Sequence, residues 1–412
     1  MTLSLPGRLV LVVLLVSSAA CGGGGGSGGG DGGGGPATTA APDDGAGAGA
    51  GEGDTPAYVD TVAALEEVGD GRDNGSDGSR RAQERIVEEL TPIAEPVPGG
   101  DGFRHAFDDG TNLLGVIPGT TTPDEVVVLG AHYDGLGHDC PSAEPDDEVC
   151  DGAGDNAAGV AIVLELGRRL AADPPDRTVV LALWDAEEDE RLGSIAAVAS
   201  GAVDTDAVVA YLNWDIQGVD LLPALADTTL VVGAETGGPA LEAAVTGADA
   251  AGLRPIGLSL LFGQGRSDHA SFVEAGVASV FFSDATSGCY HTAQDDLAHL
   301  DTAKLGRQVD LGEAVLRSVT GAGEAPTFVA DTPTATLADA EGVLALVERA
   351  EPDLGGFPEA EVAEVEEFRD ALEAMVADGE AAFDEDDVRV LLGGTAELVE
   401  LFEQGDCVVP PG

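Results

Sequence analysis

One apolar run, Thr178-Val179-Val180-Leu181-Ala182-Leu183-Trp184, indicates the fold most clearly. Such a run predicts a buried strand, in which successive side chains point to opposite faces of a sheet. Two glutamates, Glu187 and Glu188, follow the run closely. Neighbouring carboxylates at the mouth of a strand can serve different tasks, one holding a metal and the other moving protons. The competing interpretation is a solvated acidic turn, because the chain has 76 acidic and 18 basic residues.

Further apolar, β-rich runs occur on both sides of this one, at 112–117, 126–129, 207–212, 229–232 and 278–282. Helical patterns accompany or separate them, at 58–90 around a turn at 73–78, at 156–172 and at 238–251. Strands that alternate with helices favour a layered α/β architecture. We therefore expect an α/β three-layer sandwich with a mostly parallel mixed sheet.

The character of the sequence changes after about residue 323, where the helical patterns become acidic and amphipathic. One helix is predicted over 337–350, and a second begins after Pro358 and stops near Gly379. A third is predicted over 386–403, interrupted by Gly393-Gly394. No catalytic motif lies in this part. The pattern predicts a main domain over 56–322 and an acidic α-helical extension over 323–412.

The first residues follow the layout of a secretory signal peptide, predicted over 1–20. Arg8 precedes a short apolar stretch and then small residues, and the stretch is far shorter than the roughly 20 apolar residues of a spanning helix. Cys21 after Ala19-Ala20 resembles the cleavage box of bacterial lipoproteins. This predicts an exported protein anchored by a lipid at Cys21 to the outer face of the cell membrane, with plain secretion as the alternative. The Gly-rich segment 21–55 is expected to be a disordered tether.

The formal net charge of −58, with Lys304 as the single lysine, excludes some partners. Like charges repel, so we expect no nucleic-acid binding and no membrane contact other than the lipid anchor. The charge fits attraction of cationic substrates. It fits equally well a surface that stays hydrated in concentrated salt, where long-range attraction would be screened.

Four cysteines follow Cys21, and an even number beyond a signal peptide indicates an oxidising compartment with two disulfides. Three connectivities are possible. Cys140 with Cys150 is the simplest local pair, which leaves Cys289 with Cys407 as a hypothesis.

Five residues with metal-binding side chains lie at or after strand ends or in loops: His132, Asp155, Glu188, Asp215 and His291. Ligands of open α/β sheets bind at the carboxyl ends of strands. Asp134, two residues after His132, can accept the second imidazole N–H and orient the ring. Taken singly, each has an ordinary alternative, such as a helix N-cap for Asp155.

The segments that carry these residues resemble an ordered set of motifs in the di-zinc aminopeptidases, of the bacterial leucyl aminopeptidase and aminopeptidase Y type. The likeness covers about residues 58–323. It rests on five short segments in family order: Gly130-Ala131-His132-Tyr133-Asp134, 152–160, Glu187-Glu188 with Gly193-Ser194, Asn213-Trp214-Asp215 and Tyr290-His291-Thr292.

The resemblance implies a zinc exopeptidase fold with two Zn²⁺ ions, and peptides as substrates. One zinc would be bound by His132 and Asp215 and the other by Glu188 and His291, with Asp155 bridging them. Glu187 would be the general base for a bridging hydroxide. Asp134 would orient His132, and Tyr290 would donate to the developing oxyanion. A borderline-soft dication suits such a mixed set of imidazoles and carboxylates.

Two rivals share the fold: a glutaminyl cyclase, which uses one zinc for an intramolecular cyclisation, and a surface protein that binds without catalysis. A complete ligand set together with Glu187 argues against the second. Ser267-Asp268-His269 also resembles a serine hydrolase triad in composition. Contiguous residues in one loop rarely reach that geometry, and no nucleophile elbow supports it.

Overall fold

The computed structural model describes residues 55–410 except Asp70, 142–148, Ala322, Asp331, Pro333 and Thr334. The predicted signal peptide, Cys21 and the Gly-rich segment as far as residue 54 lie outside the described residues. Within the described ranges, no helix is both long enough and apolar enough to cross a membrane.

Nine strands of the described chain form one mixed sheet with the order β1-β3-β5-β4-β6-β9-β7-β8, and β2 pairs with β3 at one edge. The four strands β5, β4, β6 and β9 are neighbours and run parallel to one another. The strand bounds are β1 Glu95–Pro96, β2 Arg104–Phe107, β3 Gly110–Ile117, β4 Thr122–His132, β5 Arg177–Trp184, β6 Val208–Trp214, β7 Thr228–Val232, β8 Arg254–Leu258 and β9 Ser279–Ser283.

Ten α-helices are described, most of them between the strands or after them. Their bounds are α1 Ala57–Glu66, α2 Asp77–Leu90, α3 Ala158–Ala172, α4 Leu192–Ser200, α5 Gly238–Thr246, α6 His269–Glu274, α7 Thr302–Thr320, α8 Leu337–Ala350, α9 Glu359–Asp378 and α10 Glu385–Glu403.

The core is divided by the sheet into two layers, and strand β5 shows why. All its residues are buried, as expected for a strand covered on both faces. Val179, Leu181 and Leu183 pack into the cluster that contains α1, α3 and α7. Val180, Ala182 and Trp184 pack into a separate cluster with residues of α4 and α6. The alternation of side chains along a strand thus produces the three layers, and the predicted α/β sandwich is confirmed.

The three C-terminal helices cover the far end of the sheet. Residues of α8, α9 and α10 share one hydrophobic cluster with Val232 of β7 and with Ile256 and Leu258 of β8. This is the packing expected from their apolar faces.

The predicted interruption of the last helix at Gly393-Gly394 is wrong, because α10 runs continuously from Glu385 to Glu403. A Cβ at Gly394 would lie 2.3 Å from the ring of Phe368 in α9. The glycine therefore allows two helices to cross closely and does not end one of them. The sequence patterns also missed the edge strands β1, β2 and β8.

Both expected disulfides occur, Cys140–Cys150 and Cys289–Cys407. The second joins the loop that precedes His291 to the segment that follows α10.

Candidate metal centre

The parallel strands bring their carboxyl ends to one edge of the sheet, and five of the predicted site residues lie there. His132 is the last residue of β4, and Asp215 directly follows β6. Glu187 and Glu188 follow β5, and His291 lies in the loop after β9. Because β5, β4, β6 and β9 are consecutive in the sheet, these side chains meet although they are far apart in sequence.

Asp155 lies between the two histidines. Its Oδ1 is 3.2 Å from Nε2 of His132, and its Oδ2 is 3.4 Å from Nε2 of His291. Each carboxylate oxygen therefore faces a different imidazole. Asp155 does not cap helix α3, which begins at Ala158, and its own backbone is not helical. The N-cap interpretation is thereby excluded.

Two residues that the sequence patterns did not single out hold the backbone around Asp155 in place. Asp295 accepts hydrogen bonds from the backbone N–H groups of Gly154 and Asp155, at 2.7 and 3.0 Å. Arg72 is buried and donates to the carbonyls of Tyr133 and Gly152, at 2.9 and 2.8 Å. Their partners are backbone atoms distant in sequence, so no local motif points to them.

Asp134 is buried beside His132, with its Oδ1 3.4 Å from Nδ1 of the imidazole. Its other oxygen accepts a hydrogen bond from the backbone N–H of Glu188, at 3.1 Å. Asp134 therefore touches both the ring of one candidate ligand and the main chain of another.

Two groups of potential ligand atoms result. His132, Glu187 and Asp215 form one, and Asp155, Glu188 and His291 form the other, each with its ligand atoms within 4.8 Å of one another. His132 Nε2 lies 3.3 Å from Asp215 Oδ1, and His291 Nε2 lies 3.4 Å from Glu188 Oε2. Asp155 is in contact with both histidines and so connects the groups.

The electrostatics of the two groups favour bound cations. Burial opposes protonation of His291, yet the carboxylates of Asp155 and Glu188 raise its pKa to about 10. Burial likewise opposes protonation of His132, but Asp215 and the other carboxylates raise its pKa well above the usual range. Burial also raises the pKa of Glu187 well above its ordinary value. Without a cation, these side chains therefore favour their protonated forms. A divalent cation would compete with the protons for the same nitrogen and oxygen atoms.

The state of the donor atoms themselves indicates that they are suited to bind metal ions. Glu188 Oε1 and His291 Nε2 are buried and have no hydrogen-bond partner among the described residues. Unsatisfied buried polar atoms are costly unless something else binds them. Imidazole nitrogens and carboxylate oxygens are also the ligands that Zn²⁺ takes in hydrolytic sites. The residues fit two divalent cations that share Asp155.

A cavity of about 130 Å³ lies at these residues, and Tyr290 contributes to its wall. The Tyr290 ring stacks on His291, with ring centroids 3.7 Å apart. Burial raises the pKa of Tyr290 well above the ordinary value of a tyrosine. Its phenol therefore keeps its proton and can donate a hydrogen bond. The same cavity is lined by apolar side chains of the neighbouring strands and of a C-terminal helix.

The Ser267-Asp268-His269 segment does not form a hydrolase triad. Ser267 Oγ accepts a hydrogen bond from Asn213, at 2.7 Å. Neither ring nitrogen of His269 has a hydrogen-bond partner among the described residues. A general base would have to contact the nucleophile, so this segment does not supply one.

Comparison with known proteins agrees with this geometry. Residues 112–315 match the family model described as peptidase family M28. A probable zinc metalloprotease of Pyrenophora tritici-repentis is 27% identical over 215 residues, which are 45% of this chain and 44% of that protein. Aminopeptidase YwaD of Bacillus subtilis is 26% identical over 215 residues, 50% of this chain and 44% of that protein. The chain thus spans less than half the length of these curated relatives.

Among solved structures, the glutaminyl cyclase of Bacteroides thetaiotaomicron bound to N-acetylhistamine has the same fold. It superposes with a TM-score of 0.52 at 17% identity, covering 65% of this chain and 97% of its own. Together with the family match, this confirms the predicted resemblance and the predicted fold class.

Proposed function

Because residues 112–315 match the family model described as peptidase family M28, we propose that this chain is a zinc-dependent exopeptidase that removes N-terminal residues from peptides. The position of Asp155 gives this proposal its most direct support. The two oxygens of Asp155 face Nε2 of His132 and Nε2 of His291, at 3.2 and 3.4 Å. A carboxylate between two imidazoles suits a bridge between two cations.

His132 and Asp215 would hold one zinc ion, Glu188 and His291 the other, and Asp155 both. Bound zinc ions would supply Lewis acidity toward water and toward the scissile carbonyl. Asp134, in contact with the ring of His132 and the backbone of Glu188, would keep two of these ligands in place.

The remaining chemistry falls to groups of the chain itself. Glu187 lies beside His132 and Asp215 and lines the cavity. It would take a proton from the attacking water and return it to the leaving amine, while water oxygen bonds to the carbonyl carbon and the peptide C–N bond breaks. Burial raises the pKa of Glu187 and so suits a group that must gain and then lose a proton. Tyr290 would donate a hydrogen bond to the developing oxyanion.

Metal analysis combined with hydrolysis of aminoacyl p-nitroanilides tests the proposal. We expect about two zinc ions per chain in the wild type and in Glu187→Gln. The substitution should lower kcat by roughly 10²- to 10⁴-fold, the usual contribution of a general base. The matched variant Glu188→Gln should instead lose zinc, because it removes a ligand charge from the group that contains His291.

The results would also separate the rivals. One zinc per chain and a cyclised product, without release of an amino acid, would identify a glutaminyl cyclase. Normal zinc content without turnover of either substrate type would indicate a binding protein. Activity that survives Glu187→Gln would overturn Glu187 as the base.

The proposal includes export, with Cys21 as the site of a lipid anchor. It is supported by the two disulfides, since such bonds form and persist in oxidising compartments.

A further inference from the structure

The cavity at the metal centre has a wall that comes from outside the family segment. Thr395 and Val399 of α10 line it together with Glu187, Asp215 and Tyr290. Helix α10 follows the matched residues 112–315 by a long stretch of chain. The C-terminal helices therefore reach the site directly.

Six large apolar side chains also line this cavity, together with polar ones that include Gln264 and Arg266. The apolar ones come from the sheet and its loops and are Ile216, Leu230, Val232, Leu258, Phe262 and Phe281. Several belong to, or pack against, the hydrophobic cluster that α10 shares with α8 and α9. The apolar part of the cavity wall suits an apolar side chain of the substrate.

Helix α10 is fastened to the loop that carries His291. Thr286 donates a hydrogen bond from Oγ1 to Glu403 Oε1, at 2.6 Å. Cys289 is bonded to Cys407 beyond the end of the helix. Between these points the two backbones touch, since a Cβ at Gly288 would lie 2.2 Å from the carbonyl oxygen of Gly405. The wall is thus held in a fixed position relative to the metal ligands.

We propose that α10 is a specificity-determining wall, in which Val399 and Thr395 limit the size of the apolar N-terminal side chain that the cavity admits. The inference rests on the proposed exopeptidase function and adds the part of the chain that would limit the size of the N-terminal side chain. An apolar pocket separates substrates that differ by a methylene group by roughly 10- to 200-fold, so one wall residue can change the preference measurably.

The test compares Val399→Trp with Val390→Trp. Both change valine to tryptophan in the same helix, but Val390 is 46% exposed and is not among the residues that line this cavity. The measurement is kcat/KM for alanyl, leucyl and phenylalanyl p-nitroanilides. We expect Val399→Trp to lower the phenylalanyl-to-alanyl ratio at least tenfold, and Val390→Trp to leave it within twofold of the wild type.

A smaller substitution covers the case in which Val399→Trp does not fold. Val399→Ala enlarges the cavity and should raise the phenylalanyl-to-leucyl ratio about threefold. The affinities for free alanine, leucine and phenylalanine, measured by calorimetry, give a size preference that does not depend on turnover.

The two proposals fail in different ways. A wild type that binds these amino acids but hydrolyses no peptide would contradict the exopeptidase function, while the binding ratios would still test the wall. If neither Val399→Trp nor Val399→Ala changes the substrate or binding ratios while both variants fold, the proposed role of α10 is wrong.

Discussion

Glu187 and Glu188 are adjacent in the chain, yet their carboxylates belong to different ligand groups. Glu187 joins His132 and Asp215, whereas Glu188 joins Asp155 and His291. Strand β5 ends at Trp184, and Ala186 takes a left-handed conformation with φ 55°. The pair therefore leaves the strand through a turn before it reaches the site. This separation is the structural reason for expecting different defects from the two glutamine substitutions.

His269 is a buried titratable residue that belongs to neither ligand group. It is 1% exposed, and its ring stacks on Phe281 with centroids 4.6 Å apart. Burial, and to a smaller extent the charge of Arg191, lower its pKa to about 3. An ordinary histidine titrates near 6.5. Below that pH the unfolded chain takes up a proton that the folded chain refuses.

His269 should therefore make the protein sensitive to acid. Its contribution to stability is constant above about pH 6.5 and falls as the pH drops toward 3, by about 2 kcal/mol between pH 7 and pH 5. In His269→Phe, the loss of unfolding free energy over this interval should be smaller by that amount. Urea denaturation at both pH values measures it, and each protein is its own reference. Equal losses in the two proteins would contradict the prediction.

Residues of the site differ in how far the sequence could reveal them. His132 and Asp215 stand at the ends of apolar runs, where strand patterns and family motifs both apply. Asp295 and Arg72 bind backbone atoms across the fold, and such partners leave no periodic signal. Val399 lines the cavity only because α10 packs against the sheet, which its own sequence does not show.

At the scale of elements, the strongly periodic segments were the predictable ones. Strand β5 and helices α8 and α9 were expected with nearly the observed bounds. Strand β8 was missed because Pro255 and Gly257 weaken its strand pattern. The Gly393-Gly394 pair was misinterpreted because glycine normally disfavours a helix interior, whereas Gly394 is required here by a close contact with α9 that the sequence does not show.

Helix α7 is tied to the strand ends by the single lysine. Lys304 is 1% exposed, and its Nζ lies 3.2 Å from Asp284 Oδ2 and 3.5 Å from Asp220 Oδ1. One turn further along the helix, Gln308 donates to Asp284 at 2.9 Å. Positions four apart in a helix share a face, so α7 presents both groups to the same buried carboxylate.

Replacing Lys304 with methionine should destabilise the fold strongly. The two carboxylates would stay buried without their cation, which typically costs about 3–5 kcal/mol. Denaturant unfolding at pH 7 measures the loss. Burial already raises the pKa of Asp220 and of Asp284, so the deficit should shrink as the pH is lowered, because protonation removes the uncompensated charges.

The control for this variant is Arg389→Met, which breaks an ion pair whose two side chains are 72% and 82% exposed. Such a surface pair contributes less than about 1 kcal/mol. A Lys304→Met variant as stable as this control would show that the buried pairs do not support α7.

For the molecule as a whole, the C-terminal helices and the sheet act as one folded body in the described residues. The hydrophobic cluster around β7 and β8 includes side chains from all three of the helices α8, α9 and α10. Removing them would expose the apolar sides of those strands and open one wall of the cavity. The boundary predicted near residue 323 therefore separates sequences of different character, and the two parts share a core.

The two disulfides should stabilise this body unequally. Cys289–Cys407 closes a loop with a sequence separation of 118, and Cys140–Cys150 one of 10. Because a crosslink mainly restricts the unfolded chain, and the effect grows with the logarithm of loop length, the longer loop should contribute about 2 kcal/mol more. We expect the double variant Cys289→Ala/Cys407→Ala to lose that much more unfolding free energy than Cys140→Ala/Cys150→Ala. Urea denaturation at one fixed zinc concentration measures both, since bound metal would otherwise shift the comparison. An equal or larger loss in the short-loop variant would mean that native contacts around Cys140, and not loop closure, dominate.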